Sequence, residues 1–243
     1  MCGHRRTPHH PCRRLTFASV VASCPVPSRV VQAELLDALP HDHIAARRSR
    51  RDLRIINLLM GNHAWLARVL QAHVRPAEHL LELGAGTGEF ARRRRRQGWR
   101  IDGLDVCPAP AGWPAAERWH RADLRHFAGY GAYDAVCGNL IFHQFTDAEL
   151  GALGARLPAR IRLIAACEPA RRRRSQWLYR SLSPLFGASQ VTHHDARVSI
   201  AAGFLGDELP RLLGLDAGSW DWYCTTTLRG AYRMIARRRA APA

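Results

Sequence analysis

The sequence predicts an α/β fold: a mostly parallel sheet with helices on both faces, an antiparallel hairpin at one edge, and helices ahead of the sheet. Three observations point to it. Short apolar runs alternate with helix-like stretches through the middle of the chain, a glycine-rich turn follows the first of those runs, and two closely spaced apolar segments end the chain.

Taken in order, residues 1–30 read as a disordered extension or a misassigned start. The segment RRLTFASVVASC, ending at Cys24, superficially resembles a lipoprotein signal, but its apolar part is short and is interrupted by Thr16 and Ser19. Residues 31–75 read as helical. VVQAELLDAL and RDLRIINLLMGNHAWLARVLQAHV place apolar residues at three- and four-residue spacing with no internal proline. A main domain over 76–240 then opens with strands at HLLEL (79–83), RIDGLDV (100–106), YDAVCGNLI (133–141) and RIRLIAAC (160–167), with another strand ahead of RADL. SWDWYCTTTL and GAYRMIAR are close enough to pair as the edge hairpin.

The turn LELGAGTGEF carries Gly84, Gly86 and Gly88 behind the first strand, with a helix expected to start near Glu89. Glycine lets a ligand lie against the main chain. A dinucleotide fingerprint needs a small residue where Glu89 stands, and that carboxylate would oppose a diphosphate at the helix start. The Gly-Lys-Ser/Thr end of a P-loop is absent as well. A ligand with adenine and ribose but no phosphate fits better. Asp105 ends the second strand, where a carboxylate can accept both ribose hydroxyls. Asp123 can accept from an adenine amino group, and Glu82 can meet an amine or a sulfonium. Each acid alone reads equally as a solvated loop carboxylate; their order around the loop is what points to a site.

With these residues in view, the sequence resembles class I S-adenosylmethionine-dependent methyltransferases over about Glu34 to Arg237. LELGAGTG resembles that family's first motif, the acid of GLD its second, AD its third, and YDAVCGNLIFHQF its fourth-strand motif. More narrowly, the chain is similar to small bacterial methyltransferases found among natural-product biosynthesis genes. These share an ELLD…RDLR..N opening and an N-L-x-x-H-H-F segment, in which Gln144 here replaces the second histidine. The resemblance implies a Rossmann-like, seven-stranded sheet and S-adenosylmethionine as cofactor. It also implies a binding set of Glu82, Gly84, Ala85, Gly86, Gly88, Asp105, Val106, Asp123, Leu124 and Asn139, and a small aromatic or polyketide-like methyl acceptor.

The same resemblance sets Asn139, Phe142 and His143 beside the methyl donor, with Phe142 offering an aromatic face to a sulfonium. His143 is the candidate catalytic residue. Read functionally it accepts a proton from the acceptor; read structurally it fixes a loop. Residues 169–198 interrupt the sheet pattern. Trp177, Leu178, Leu182, Leu185 and Phe186 would line a substrate lid and Arg171–Arg174 would meet an anion, or the segment is a helix packed on the sheet with a solvated arginine start. Arg92–Arg96 go all the way round a helix, so at least one must start on the sheet side and reach outward along its stem.

Composition narrows the alternatives. The formal charge of +16 invites an RNA methyltransferase, although every cation is arginine, which looks as much like genome bias. RNA binding would show steep salt dependence. No RNA-binding module is recognisable, and NLIFHQF does not resemble the Asn-Pro-Pro-Tyr motif of amino-directed nucleic-acid methylases. A non-catalytic S-adenosylmethionine-binding protein is the third reading. The seven cysteines form no C-x-x-C, so reduced thiols in a cytoplasm are expected, without disulfides or zinc. Neither the His4, His9, His10, Cys2 and Cys12 cluster nor HHD (193–195) has metal-ligand spacing. No apolar run approaches the ~20 residues that span a bilayer.

Overall fold

The computed structural model of the chain describes residues 28–40, 43–113 and 118–240. The expectations placed on residues 1–27, namely the extension, the lipoprotein-like segment and the histidine–cysteine cluster, lie outside the described residues. Seven strands form one sheet in the order β3-β2-β1-β4-β5-β7-β6. These are β1 (His79–Leu83), β2 (Arg100–Asp105), β3 (Trp119–Arg121), β4 (Ala135–Asn139), β5 (Leu163–Pro169), β6 (Trp220–Thr226) and β7 (Ala231–Arg238). The first five are mutually parallel, and β7 pairs antiparallel with both β5 and β6. This is the Rossmann-like sheet with the edge hairpin that the sequence predicts.

The parallel strands are buried on both faces. Leu81, Leu83 and Val136 pack into one core with Phe142, Tyr130 and Phe204. Leu80, Ile101 and Ala135 alternate to the other face and pack against α2 (Asn62–His73) and α3 (Glu89–Arg95). Glu82 is on that second face. A capping box between Thr146 and Glu149 starts α4 (Asp147–Ala155), and the Ser189 side chain caps α6 (Gln190–Ala202). Between β5 and α6 runs α5 (Arg173–Leu182), and α7 (Glu208–Leu212) precedes the hairpin.

Three details differ from the sequence reading. The expected helix over VVQAELLDAL is a strap with a single 3-10 turn, Leu36–Ala38. The N–H groups of Leu35 and Leu36 donate to the two carboxylate oxygens of Asp195 at 2.7 and 3.0 Å, a fixed acceptor that competes with helix bonding. The helical text after it divides into α1 (Ile44–Met60) and α2, because Gly61 takes a left-handed φ of 69° and caps α1. The boundary at residue 30 also falls too late. The buried Arg29 guanidinium donates to the Ala202, His143 and Phe145 carbonyls, pairs with Asp147 and stacks on Phe204.

The arginine run finds a reason. Arg95 is the arginine that starts on the sheet side, and it stays there, 2.6 Å from the buried Asp102. His79 and Tyr133 bond the other oxygen of Asp102, each at 2.9 Å. Removing one of these partners from a buried carboxylate would be costly.

Candidate active site

A cavity of about 640 Å³ opens beyond the carboxyl ends of β1, β2 and β4, where the strand order reverses between β1 and β4. Its roof is built by the strap, by α1 and by α5 to α6. Asp52 fixes α1 there, accepting from Ser189 N at 2.9 Å and Thr192 Oγ1 at 2.8 Å. Among the residues expected to hold a cofactor, Glu82, Gly84, Ala85, Gly86, Asp105, Val106, Asp123, Leu124 and Asn139 line this one cavity, as does His143. Gly88 does not. A Cβ there would lie 2.6 Å from the Trp113 ring, so Gly88 serves packing. At Gly86, whose φ is 54°, an added Cβ would meet nothing within 4 Å, so its backbone faces open space.

Asp105 holds the loop. Its oxygens accept from Gly86 N at 2.7 Å and Cys107 N at 2.8 Å. Asp123 is more committed than the sequence suggests, because Arg125 bonds both of its oxygens and lowers its pKa. Glu82 is buried and accepts one bond, from Ala91 N at 3.0 Å. Burial pushes its pKa up to about 8, and the nearby Asp105 charge adds to the rise.

The loop after β4 wraps around the Glu168 carboxylate at the end of β5. Leu140 takes a positive φ of 57°, rare for leucine, and turns the next backbone N–H groups inward. Ile141 N and Phe142 N each donate to Glu168 Oε1 at 3.0 Å. His143 Nδ1 lies 2.6 Å from Glu168 Oε2, and Nε2 lies 3.1 Å from Glu34 Oε1. Burial disfavours the imidazolium, but the two carboxylates outweigh it and push the His143 pKa up to about 10. Both ring nitrogens are engaged by carboxylates, an arrangement that fits the structural reading of a histidine fixing the loop. Phe142 likewise is off the cavity: it is buried against Gly138, and Phe145 lines the wall instead.

Of the expected lid side chains, Leu178, Leu182 and Phe186 line the cavity. Trp177 and Leu185 face solvent, 70% and 81% exposed. None of Arg171–Arg174 reaches the cavity: Arg171 pairs with Glu208 and Arg174 donates to the Thr227 carbonyl. Sequence reasoning missed Glu34, Asn57, His63 and Tyr179, which all line the cavity. The ELLD and RDLR..N segments were the signal for the first two. Among the described residues no group of three or more His, Cys, Asp or Glu could hold a metal ion, and no helix is long and apolar enough to cross a membrane.

No protein-family model and no curated protein matches the chain. Solved structures do. The plantazolicin methyltransferase BpumL in complex with SAH is 13% identical over 81% of this chain and 89% of that one, with a TM-score of 0.60. The same enzyme with a pentazolic desmethylPZN analog and SAH aligns over 84% and 93%, at 11% identity and a TM-score of 0.64. The methyltransferase domain of bacterial CtHen1-CN aligns over 76% and 100%, at 14% identity and a TM-score of 0.53. At such identities the likeness is one of fold.

Proposed function

We propose that this protein transfers a methyl group from S-adenosylmethionine to a small natural-product-like acceptor. The observation that carries the proposal is the order of polar groups along the sheet. Asp123 after β3, Asp105 on β2, Glu82 and the glycine loop at β1, and Asn139 on β4 all line one cavity. A base, a ribose and an amino-acid tail laid across these strand ends meet them in sequence. The SAH named with the BpumL structures supports the same donor, and their desmethylPZN analogs support the acceptor class.

The residues fit the donor. Gly86 leaves open space for a ligand against its backbone, and Glu82 and Glu89 at the start of α3 disfavour a diphosphate. When bound, S-adenosylmethionine supplies a methyl carbon on a positively charged sulfur. Asp105 would hold the ribose hydroxyls, since each of its oxygens keeps a lone pair beyond the backbone bond it accepts. Val106, Ala85 and Leu124 supply flanking walls, and Asp123, tied to Arg125, bounds the adenine end. A cation beside Glu82 would favour its ionised form and be held by it. His143 positions the β4 loop.

Leu178, Leu182, Phe186 and Ile200 give the acceptor side an apolar wall suited to an aromatic or polyketide-like ring. Orientation of nucleophile, methyl carbon and sulfur can supply up to ~7–11 kcal/mol, so the reaction needs no strong base. The free thiols of Cys107, Cys137, Cys167 and Cys224 fit a reducing compartment such as the cytoplasm. The test is incubation with methyl-labelled S-adenosylmethionine and a panel of phenolic and polyketide acceptors. Label in an acceptor supports the reading; its absence from every acceptor, with no S-adenosyl compound bound, counts against it.

A further inference from the structure

The four most exposed large apolar side chains among the described residues are Leu228, Leu185, Leu58 and Trp177, at 83%, 81%, 78% and 70%. They are far apart in sequence, yet each is the chain neighbour of a residue that lines the cavity: Arg229, Phe186, Leu59 and Leu178. Hydrogen bonds join the segments that carry them. Arg174 on α5 donates to the Thr227 carbonyl in the turn between β6 and β7 at 3.1 Å, and Arg229 in that turn donates to the Leu59 carbonyl near the end of α1 at 3.5 Å. At the other end of α5, Arg51 on α1 donates at 2.7 Å to the Phe186 carbonyl, in the 3-10 turn Ser183–Phe186. α1 and α5 therefore frame the cavity as two sides of a rim, and the four apolar side chains stand on it. Single exposed apolar residues are ordinary; four around one opening mark a contact surface.

The charge on the same segments says what would cover the rim. Residues 170–190 and 222–240 contain no Asp or Glu, and the one acid of α1, Asp52, is buried and bonded. Arg174 and Arg180 stand three residues to either side of Trp177 on α5, Arg54 precedes Leu58 by one turn of α1, and Arg229 follows Leu228. All four arginines are exposed. Apolar tips set among guanidinium groups match the boundary between anionic headgroups and acyl chains, where tryptophan is favoured and arginine keeps its charge at headgroup level. Single-stranded nucleic acid would use the arginines and Trp177, but three leucines offer no face on which a base can stack.

We propose that this rim docks on an anionic lipid surface, with Trp177, Leu58, Leu185 and Leu228 entering the boundary between headgroups and acyl chains and the cavity mouth held against it. An apolar acceptor dissolved in the lipid would then reach the cavity without crossing water. That consequence rests on the methyl-transfer reading; the docking does not.

Co-sedimentation of the purified protein with vesicles tests it. Vesicles of equal parts phosphatidylglycerol and phosphatidylcholine are expected to bind the protein, more weakly as salt is raised, and pure phosphatidylcholine vesicles to bind it at least about tenfold less. Trp177→Ser combined with Leu228→Ser should weaken binding to the mixed vesicles about tenfold or more at an unchanged melting temperature, since both side chains face solvent. Should that double variant fail to fold, Leu58→Ser combined with Leu185→Ser is expected to give the same loss. No binding to the mixed vesicles overturns the proposal. Equal binding to both kinds of vesicle overturns it, and so does wild-type affinity in the folded variants, which would leave only a general attraction to a cationic chain. A single-stranded RNA that displaces the vesicles, and whose own binding falls about tenfold in the same double variant, would assign the rim to nucleic acid and overturn it as well.

Discussion

His143 Nδ1 lies 2.6 Å from Glu168 Oε2, with both side chains buried and Glu34 closing the other side of the ring. The pair shapes the β4 loop, so its removal should cost stability before it costs chemistry. His143→Gln leaves the Glu168 charge buried with three backbone donors and no cation, and a loss of ~3–5 kcal/mol is expected in urea denaturation. Single-turnover methylation by the folded variant is expected to stay within about tenfold of wild type, short of the ~100-fold or greater loss that follows removal of a general base.

The charge on His143 also sets a pH dependence. Its folded pKa of about 10 lies above the unfolded ~6.5, so the stabilisation is complete below the lower value and is lost as pH rises through the upper one. The difference in unfolding free energy between wild type and His143→Gln should therefore shrink steadily between those limits.

Glu82 titrates in the opposite sense to a paired carboxylate. Its pKa of about 8 in the folded protein exceeds the unfolded ~4.3, so the unfolded chain ionises first and stability falls as pH rises from the lower value through the upper. Glu82→Gln can still accept from Ala91 N and has no proton to lose. Thermal melts should show the variant gaining on wild type from pH 5 to pH 8, and calorimetry should show weaker S-adenosylmethionine binding.

Two glycines in one loop should separate binding from packing. Gly86→Ala adds a methyl into open space at a left-handed residue, costing ~1–2 kcal/mol of stability while occupying the ligand's place. Gly88→Ala drives its methyl against the Trp113 ring. The first is expected to lose S-adenosylhomocysteine binding with a small drop in melting temperature, the second to lose more stability than affinity per folded molecule.

Asp195 anchors the strap through Leu35 N and Leu36 N. Asp195→Ala is expected to expose residues 29–40 to limited proteolysis, read by mass spectrometry of the fragments, with the sheet domain remaining intact. Unchanged cleavage would mean that Arg29 and Glu34 alone secure the strap.

The sheet was legible because its strands and glycine turn are local patterns. Apolar runs of strand length, Gly84 and Gly86 behind the first of them, and acids at successive strand ends are visible within a few residues of each other. The features that need distant partners were not. Asn57, Asn62 and Asn139 meet only through the placement of α1 and α2 against β4, and Glu168 becomes the centre of the β4 loop only because β5 lies beside β4. The strap was misread as a helix because its apolar spacing is helical, whereas Asp195, far along the chain, takes its N–H groups. Arg95, expected to reach outward from the sheet side, stays there because β2 sets Asp102 beside it.

The central claim is that the turn after β1 receives an adenosyl group bearing a sulfur centre and no diphosphate. Calorimetric titration of the purified protein with S-adenosylhomocysteine and, separately, with NAD tests it most directly. One equivalent of S-adenosylhomocysteine binding with no heat from NAD is the expected result; saturable NAD binding with none for S-adenosylhomocysteine would contradict the claim.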